Sequence, residues 1–280
     1  MPAEQIASNL ALINWTVLAG LAVGAFGVVV VARLRTGATR GYLAFTALSA
    51  AGFGILAYLS DTGLPPIGAG PVTADPAFDA PRRLALAAFV ALSLVTMLAI
   101  ARGRRGVVPG VAGLAAGIAA LLLGALTWGL AGGAAGVAML TVQLLVLAAA
   151  TGGVFAAMIL GHWYLVTPKL PEAPLVMVSR GLLAIVALQV ALFVIWVGLG
   201  IGPGATGGPF AALTGSWALF VWLRLLVGLA FPLVVSWAAL QTARSRSMES
   251  ATGLLYINVG TIAAGTIVAA GLYFGAGLLV

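Results

Sequence analysis

Two ionisable side chains sit inside long apolar runs of this 280-residue chain. Arg224 lies in Trp222-Leu223-Arg224-Leu225-Leu226, and His162 lies in Met158-Ile159-Leu160-Gly161-His162-Trp163-Tyr164. An ionisable group in hydrocarbon is costly, so each marks a candidate site. Arg224, Gly228 and Pro232 fall at successive fourth positions and share one helix face. Pro232 has no N–H to give the Gly228 carbonyl. That face offers a fixed cation, a gap without a side chain and a free carbonyl. A carboxylate, a phosphate or a haem propionate suits it. The alternative is an arginine satisfied by backbone carbonyls or by a partner subunit, because no acid falls at similar depth in another span.

His162 is the only histidine. Its chemistry fits an axial haem ligand, a hydrogen-bond partner for quinone or a proton carrier. Gly153, Ala157 and Gly161 recur at every fourth position beside it, a small-residue stripe that a helix or a flat macrocycle can approach closely. Met158 lies one turn away on the same face, so it cannot ligate the opposite side of the same haem. Met97, Met139, Met177 or a second subunit would supply that ligand, or the haem is five-coordinate. Arg180 would bring a cation near His162 from the following span. The sequence therefore nominates His162, Met158, Arg180 and Arg224 as cofactor-binding residues for haem b or quinone, with His162 as the iron ligand. The competing reading puts His162 in an interfacial aromatic belt with Trp163 and Tyr164.

The elements that must position these residues are transmembrane helices. Hydrophobic residues make up 62% of the chain and charged residues 7%, against about 25% in soluble domains. Mean hydropathy is +1.18. Eight stretches approach or exceed the roughly 20 apolar residues a spanning helix needs. They are predicted near 9–33, 42–60, 84–101, 107–130, 136–165, 174–200, 211–241 and 251–279. The apolar run from Val107 to Val166 is too long for one span and is broken at Ala131–Gly136, where glycine disfavours helix. The fold expected is an all-α polytopic transmembrane bundle of eight spans, one integral membrane domain over residues 1–280. The long fifth and seventh stretches are expected to tilt or project beyond the lipid. The first span follows no basic n-region and reads as uncleaved.

The arginines fix an orientation. Arg33, Arg35 and Arg40, then Arg102, Arg104 and Arg105, then Lys169 and Arg180, then Arg244 and Arg246 follow or flank alternate connections. By the positive-inside rule these connections are cytoplasmic and both termini lie outside. Arg82 and Arg83 are exceptions at the start of the third span, with Asp75 and Asp79 close by as partners. The connection over 61–81 carries Pro65, Pro66, Pro71, Pro76 and Pro81 and reads as a stiff irregular connector, or else a lid or docking surface. Arg33-Leu34-Arg35-Thr36 and Arg244-Ser245-Arg246-Ser247 resemble one another, too briefly to establish a repeat.

Some classes of function fall away. The net charge of +7 flanks apolar spans and meets lipid headgroups rather than nucleic acid. With no cysteine, one histidine and six acids, disulfides, thiolate zinc and multi-ligand metal sites are out of reach of this chain alone. No Walker loop, serine–histidine constellation or carboxylate pair appears. Asp61, at an outer edge, is the best acid for ion coupling, which weakens a coupled transporter. Gln143, Gln189, Asn14 and Asn258 are expected to hydrogen-bond between helices. Trp222 is expected to line what Arg224 faces. The first expectation is thus a non-catalytic subunit of a larger membrane assembly in a bacterial-type inner membrane. It would be of the electron-transfer kind, contacting lipids and other subunits or further copies of itself. The second is a transporter or channel for a small anionic or amphipathic solute.

Overall fold

The structure is a computed structural model that describes residues 1–64, 71–167, 170–205 and 207–280. It is all-helical among those residues, and eight helices are long and apolar enough to cross a bilayer. They are α1 (Leu10–Arg35), α2 (Arg40–Thr62), α3 (Asp79–Ala101), α4 (Val107–Trp128), α5 (Gly133–Val166), α6 (Ala173–Leu199), α7 (Ala218–Arg244) and α8 (Met248–Ala276). The protein is a multi-pass membrane protein. Because consecutive spans alternate in direction, the arginine-rich connections collect at one end of the bundle.

Three boundaries depart from the sequence expectation for local reasons. The break between α4 and α5 falls at Gly129–Gly133, earlier than expected, where Leu130–Gly132 forms a 3₁₀ turn and Gly133 takes φ +62°. The third helix begins at Asp79 rather than at 84, after a 3₁₀ turn over Pro76–Phe78 whose start is capped by the Asp75 carboxylate. The seventh begins at Ala218 rather than at 211, because Ala211–Leu213 is only a 3₁₀ turn. Pro65, Pro66, Pro168 and Lys169 lie outside the described residues. A short helix, Pro2–Ser8, precedes α1 and packs against α8.

The helices pack as two four-helix halves in one cyclic order. In the first half α1 meets α2, α2 meets α3, α3 meets α4 and α4 returns to α1. In the second half α5, α6, α7 and α8 repeat that order. The correspondence pairs α1 with α5, an offset of four spans. The short match between the Arg33 and Arg244 segments has an offset of six spans, so it is unrelated to this arrangement.

The halves join mainly through α1 and α5. Half of the most apolar stretch of α1 is buried and 72% of that of α5, against 28–39% for the other six. The joint depends on small residues. A Cβ on Gly24 would run into the Ala148 carbonyl, and one on Gly152 into the backbone of Gly24 and Ala25. Lipid offers no hydrophobic drive between helices, so close van der Waals approach and hydrogen bonds supply the attraction. Several pins add to it. Thr151 and Thr266 hydroxyls meet at 2.7 Å between α5 and α8, and Tyr42 on α2 donates to the Ala156 carbonyl on α5 at 3.2 Å. Asn258 donates to Ser236, Asn14 to Ser60 and Gln189 to the Val146 carbonyl, each between neighbouring helices. Gln143 departs from expectation: its buried Oε1 has no partner among the described residues.

At 34 residues α5 runs about 51 Å at 1.5 Å per residue, well beyond a hydrocarbon core of about 30 Å. It therefore tilts or projects.

The crossing generates a contrast between glycines. Gly24→Ala should lower the thermal unfolding temperature in detergent, by the roughly 1–3 kcal/mol of an overpacked core site. Gly153→Ala, whose Cβ meets nothing within 4 Å, should hold or raise it by about 0.5–1 kcal/mol. Equal unfolding temperatures would mean that α1 and α5 do not touch through backbone.

Candidate functional site

The densest polar cluster lies at the end opposite the arginine-rich rim. Asp61, the last acid of α2, is fully buried, and so is Arg82 at the start of α3. Arg82 Nε donates to Asp61 at 2.6 Å, and Nη2 reaches the second carboxylate oxygen at 3.1 Å. Nη1 donates to Thr127 at 2.6 Å, and Asp79 lies 3.0 Å from Nη2. Arg83 adds a contact to Asp61 at 2.9 Å. The Arg82 guanidinium stacks 4.7 Å from the Trp128 ring, which itself meets Trp15 edge-on at 4.8 Å. Tyr273 on α8 donates to the Trp128 carbonyl. The expected partner Asp75 is used elsewhere: its carboxylate caps the Pro76 turn, and its N–H donates to the Thr127 carbonyl. The hub of this cluster is Asp61, which the sequence offers only as an outer-edge acid for ion coupling and not as a partner of Arg82. This is a tie among α1 to α4, with every charge answered.

Arg224 is 2% exposed. It lies two turns into α7, nearer the helix end than the sequence boundary placed it. Next to it, Leu226–Ala230 forms a π turn, and Phe231 resumes the α-helix with Pro232 in its first turn. Arg224 Nη1 donates to the Gly228 carbonyl at 3.2 Å, the acceptor that Pro232 leaves free. Gly228 abuts Gly265 of α8 so closely that a Cβ on either would lie 2.6 Å from the other's Cα. Arg224 Nε has no partner among the described residues. Trp222 does not line this place. It is 43% exposed and donates its indole N–H outward to the Leu213 carbonyl.

The other nominated residues lie elsewhere. His162 is exposed near the arginine-rich end of α5, with Nδ1 3.3 Å from the Tyr256 hydroxyl of α8. Met158 is half-buried against the core, and Arg180 is exposed on α6. His162 lies within about 6 Å of the end of α5, whereas Arg224 lies about 30 Å along α7 from that rim. The two cannot serve one small ligand. The small-residue stripe also divides: Gly161 packs on Thr252 of α8, while Gly153 faces open space. Among the described residues no cluster of three or more metal-ligating side chains occurs.

Gly153 opens onto a groove that sequence reading did not find. It has a volume near 420 Å³ and lies where α1 and α4 of the first half face α5 and α6 of the second. Gly24, Gly27, Ala148, Gly153 and Gly181 keep it wide, and the remaining lining side chains are aliphatic or, at Met177, thioether. A Cβ on Gly181, like one on Gly153, would meet nothing within 4 Å. Glycine inside a helix forgoes about 0.5–1 kcal/mol relative to alanine. At Gly24 close packing offsets that loss. At Gly153 and Gly181 no packing does, and the effect of glycine there is open volume.

No family model, no curated protein and no solved structure matches this chain. The fold and the groove define a polytopic helical membrane protein of two four-helix halves with an apolar cleft between them.

The polar tie at Asp61 gives its own expectation. Asp61→Asn leaves Arg82 and Arg83 without their shared carboxylate and should destabilise the protein by about 3–5 kcal/mol, as for other broken buried pairs. Thermal unfolding in detergent reads this. Asp75→Asn, outside the pair, should shift it far less.

Proposed function

We propose that the protein binds and moves an amphipathic, membrane-soluble molecule whose apolar part enters the groove between its two halves. One observation carries this reading: the cleft lies within the spans at the joint of two similarly ordered halves and is lined by apolar residues alone. Transporters assembled from repeated halves place their sites at such joints. A cleft of this volume falls in the range that holds small ligands. Arginines favour the cytoplasmic side of an inner membrane, so the basic rim faces the cytoplasm in this reading and both termini face outward.

Of the two parts the sequence offered Arg224, an anion-binding cation and an arginine held by backbone carbonyls, we favour the second. Its hydrogen bond to Gly228 supports a structural role at the α7–α8 crossing rather than a substrate cation.

A second reading has its own support. The exposed His162–Tyr256 pair offers a hydrogen-bonding edge on the lipid-facing surface, where a quinone or a neighbouring electron-transfer subunit could dock. In that case the protein is a subunit of a larger assembly.

Reconstitution separates the readings. Liposomes holding the protein should move a fluorescently labelled single-tailed lipid between leaflets faster than empty liposomes, and Gly153→Phe should remove the gain. An unchanged rate in the wild type overturns transport. A Soret band in the native complex, or quinone that co-purifies and is lost in His162→Ala, would favour the second reading.

A further inference from the structure

The groove has a polarity along the membrane normal that goes beyond its apolar lining. On α1 its lining runs from Val23 through Gly27 to Val31, about 12 Å at 1.5 Å per residue. That is close to one leaflet of a hydrocarbon core of about 30 Å. On α6 it begins at Met177, one turn inside the helix start at Ala173. The groove therefore runs from the arginine-rich side of the bundle to its middle and slightly past it, where Leu121 of α4 and Leu145 of α5 line its far end.

Its lower mouth is cationic. Val23, Gly27, Val31 and Arg35 follow one another on the same face of α1, so Arg35 is the next residue along the groove wall. Arg35 is exposed and has no ion pair among the described residues. Arg33, beside it, donates Nε to the Arg105 carbonyl at 3.1 Å and Nη2 to the Arg104 carbonyl at 3.4 Å. Those bonds hold the turn before α4, and with it the exposed Arg104 and Arg105, against the end of α1. Helices α1 and α4 are also two of the four groove walls. Arg40 lies against Gly103 of the same turn. Of the six acids, Asp61, Asp75 and Asp79 lie at the opposite end, Glu4 lies near the N-terminus and Glu172 pairs with Arg246, which leaves Glu249, at the start of α8, as the acid of the rim without an ion pair among the described residues.

We infer that this groove and its arginine mouth form a binding site for an anionic membrane lipid of the basic-side leaflet. One acyl chain lies in the cleft between the halves, and the phosphate meets Arg35 with Arg104 and Arg105. The inference rests on the groove reading above and adds the headgroup class to it. A tail alone would need no cation, and free phosphate would need no groove. The pairing of an apolar slot with exposed arginines near its rim-side end selects a molecule that has both an apolar chain and an anionic head. Basic pockets between spanning helices are known to hold such headgroups.

The test uses the full chain in detergent, titrated with dioleoyl phosphatidylglycerol or dioleoyl phosphatidylcholine, with bound lipid counted by mass spectrometry of the intact complex. Wild type should retain the anionic lipid in preference to the zwitterionic one. Arg35→Gln should lower phosphatidylglycerol retention about fivefold, the effect of one cation near an anionic headgroup, and leave phosphatidylcholine unchanged. Gly153→Phe and Gly181→Phe fill the slot from positions facing open space, and each should lower retention of both lipids. Unfolding temperatures close to wild type certify that the variants fold. Equal retention of the two lipids by wild type overturns the headgroup assignment while leaving the groove reading intact. Retention that survives both folded phenylalanine variants overturns the groove itself. A second copy of the chain or another membrane protein bound in place of lipid, and displaced by Gly181→Phe, overturns the lipid site as well.

Discussion

The bundle depends on the backbone contact between α1 and α5. In hydrocarbon, two helices gain little from hiding leucine, because lipid tails are equally apolar. What they gain is dispersion contact at short range, and only helices without side chains at the crossing come close enough. Gly24 and Gly152 provide that crossing, flanked by Gly20 and Ala148. Once α1 and α5 touch there, each half closes its own ring around its central helix. The groove is a consequence of the same contact. The walls of four helices cannot all remain in contact below a tight central crossing, and small residues at Gly27, Gly153 and Gly181 leave the resulting space unfilled.

Charge is handled differently at the two ends. By sequence position the arginine-rich end has ten of the thirteen basic residues and only two of the six acids. Its arginines are mostly exposed, where water and headgroups solvate them. The opposite end has few charges, and its central pair, Asp61 and Arg82, is buried. There the desolvation of Arg82 is offset by Asp61, Asp79, Thr127 and the face of Trp128. One end holds a buried ion-pair network, and the other leaves most of its cations exposed.

Much of the helical frame was legible in the residues themselves. Apolar runs of spanning length, broken by glycine, proline and arginine, located all eight helices within a few residues at most ends. The face shared by Arg224, Gly228 and Pro232 was legible too, since it depends on local periodicity alone. The Asp61–Arg82 tie was not, because its partners stand on either side of a proline-rich connection and meet only after α2 and α3 pack. The groove was invisible for a different reason. Gly24 and Gly153 are the same residue type on apolar helices, yet one is filled by a neighbouring backbone and the other by nothing. Only the packed arrangement of four helices tells them apart.

The resolution of Arg224 also bears on where function lies. A proline in a span leaves a carbonyl without a donor, and a buried arginine brings donors without acceptors. In α7 each defect is the other's remedy: the π turn brings the Gly228 carbonyl to Nη1, and Gly265 lets α8 close over the pair. The exposed cations are mostly those of the rim, and Arg35 is the one that follows the groove-lining face of α1. The most conspicuous charge in the sequence is thus tied into the α7–α8 crossing, while Arg35, one of the charges that orient the spans, follows the α1 wall of the apolar cleft.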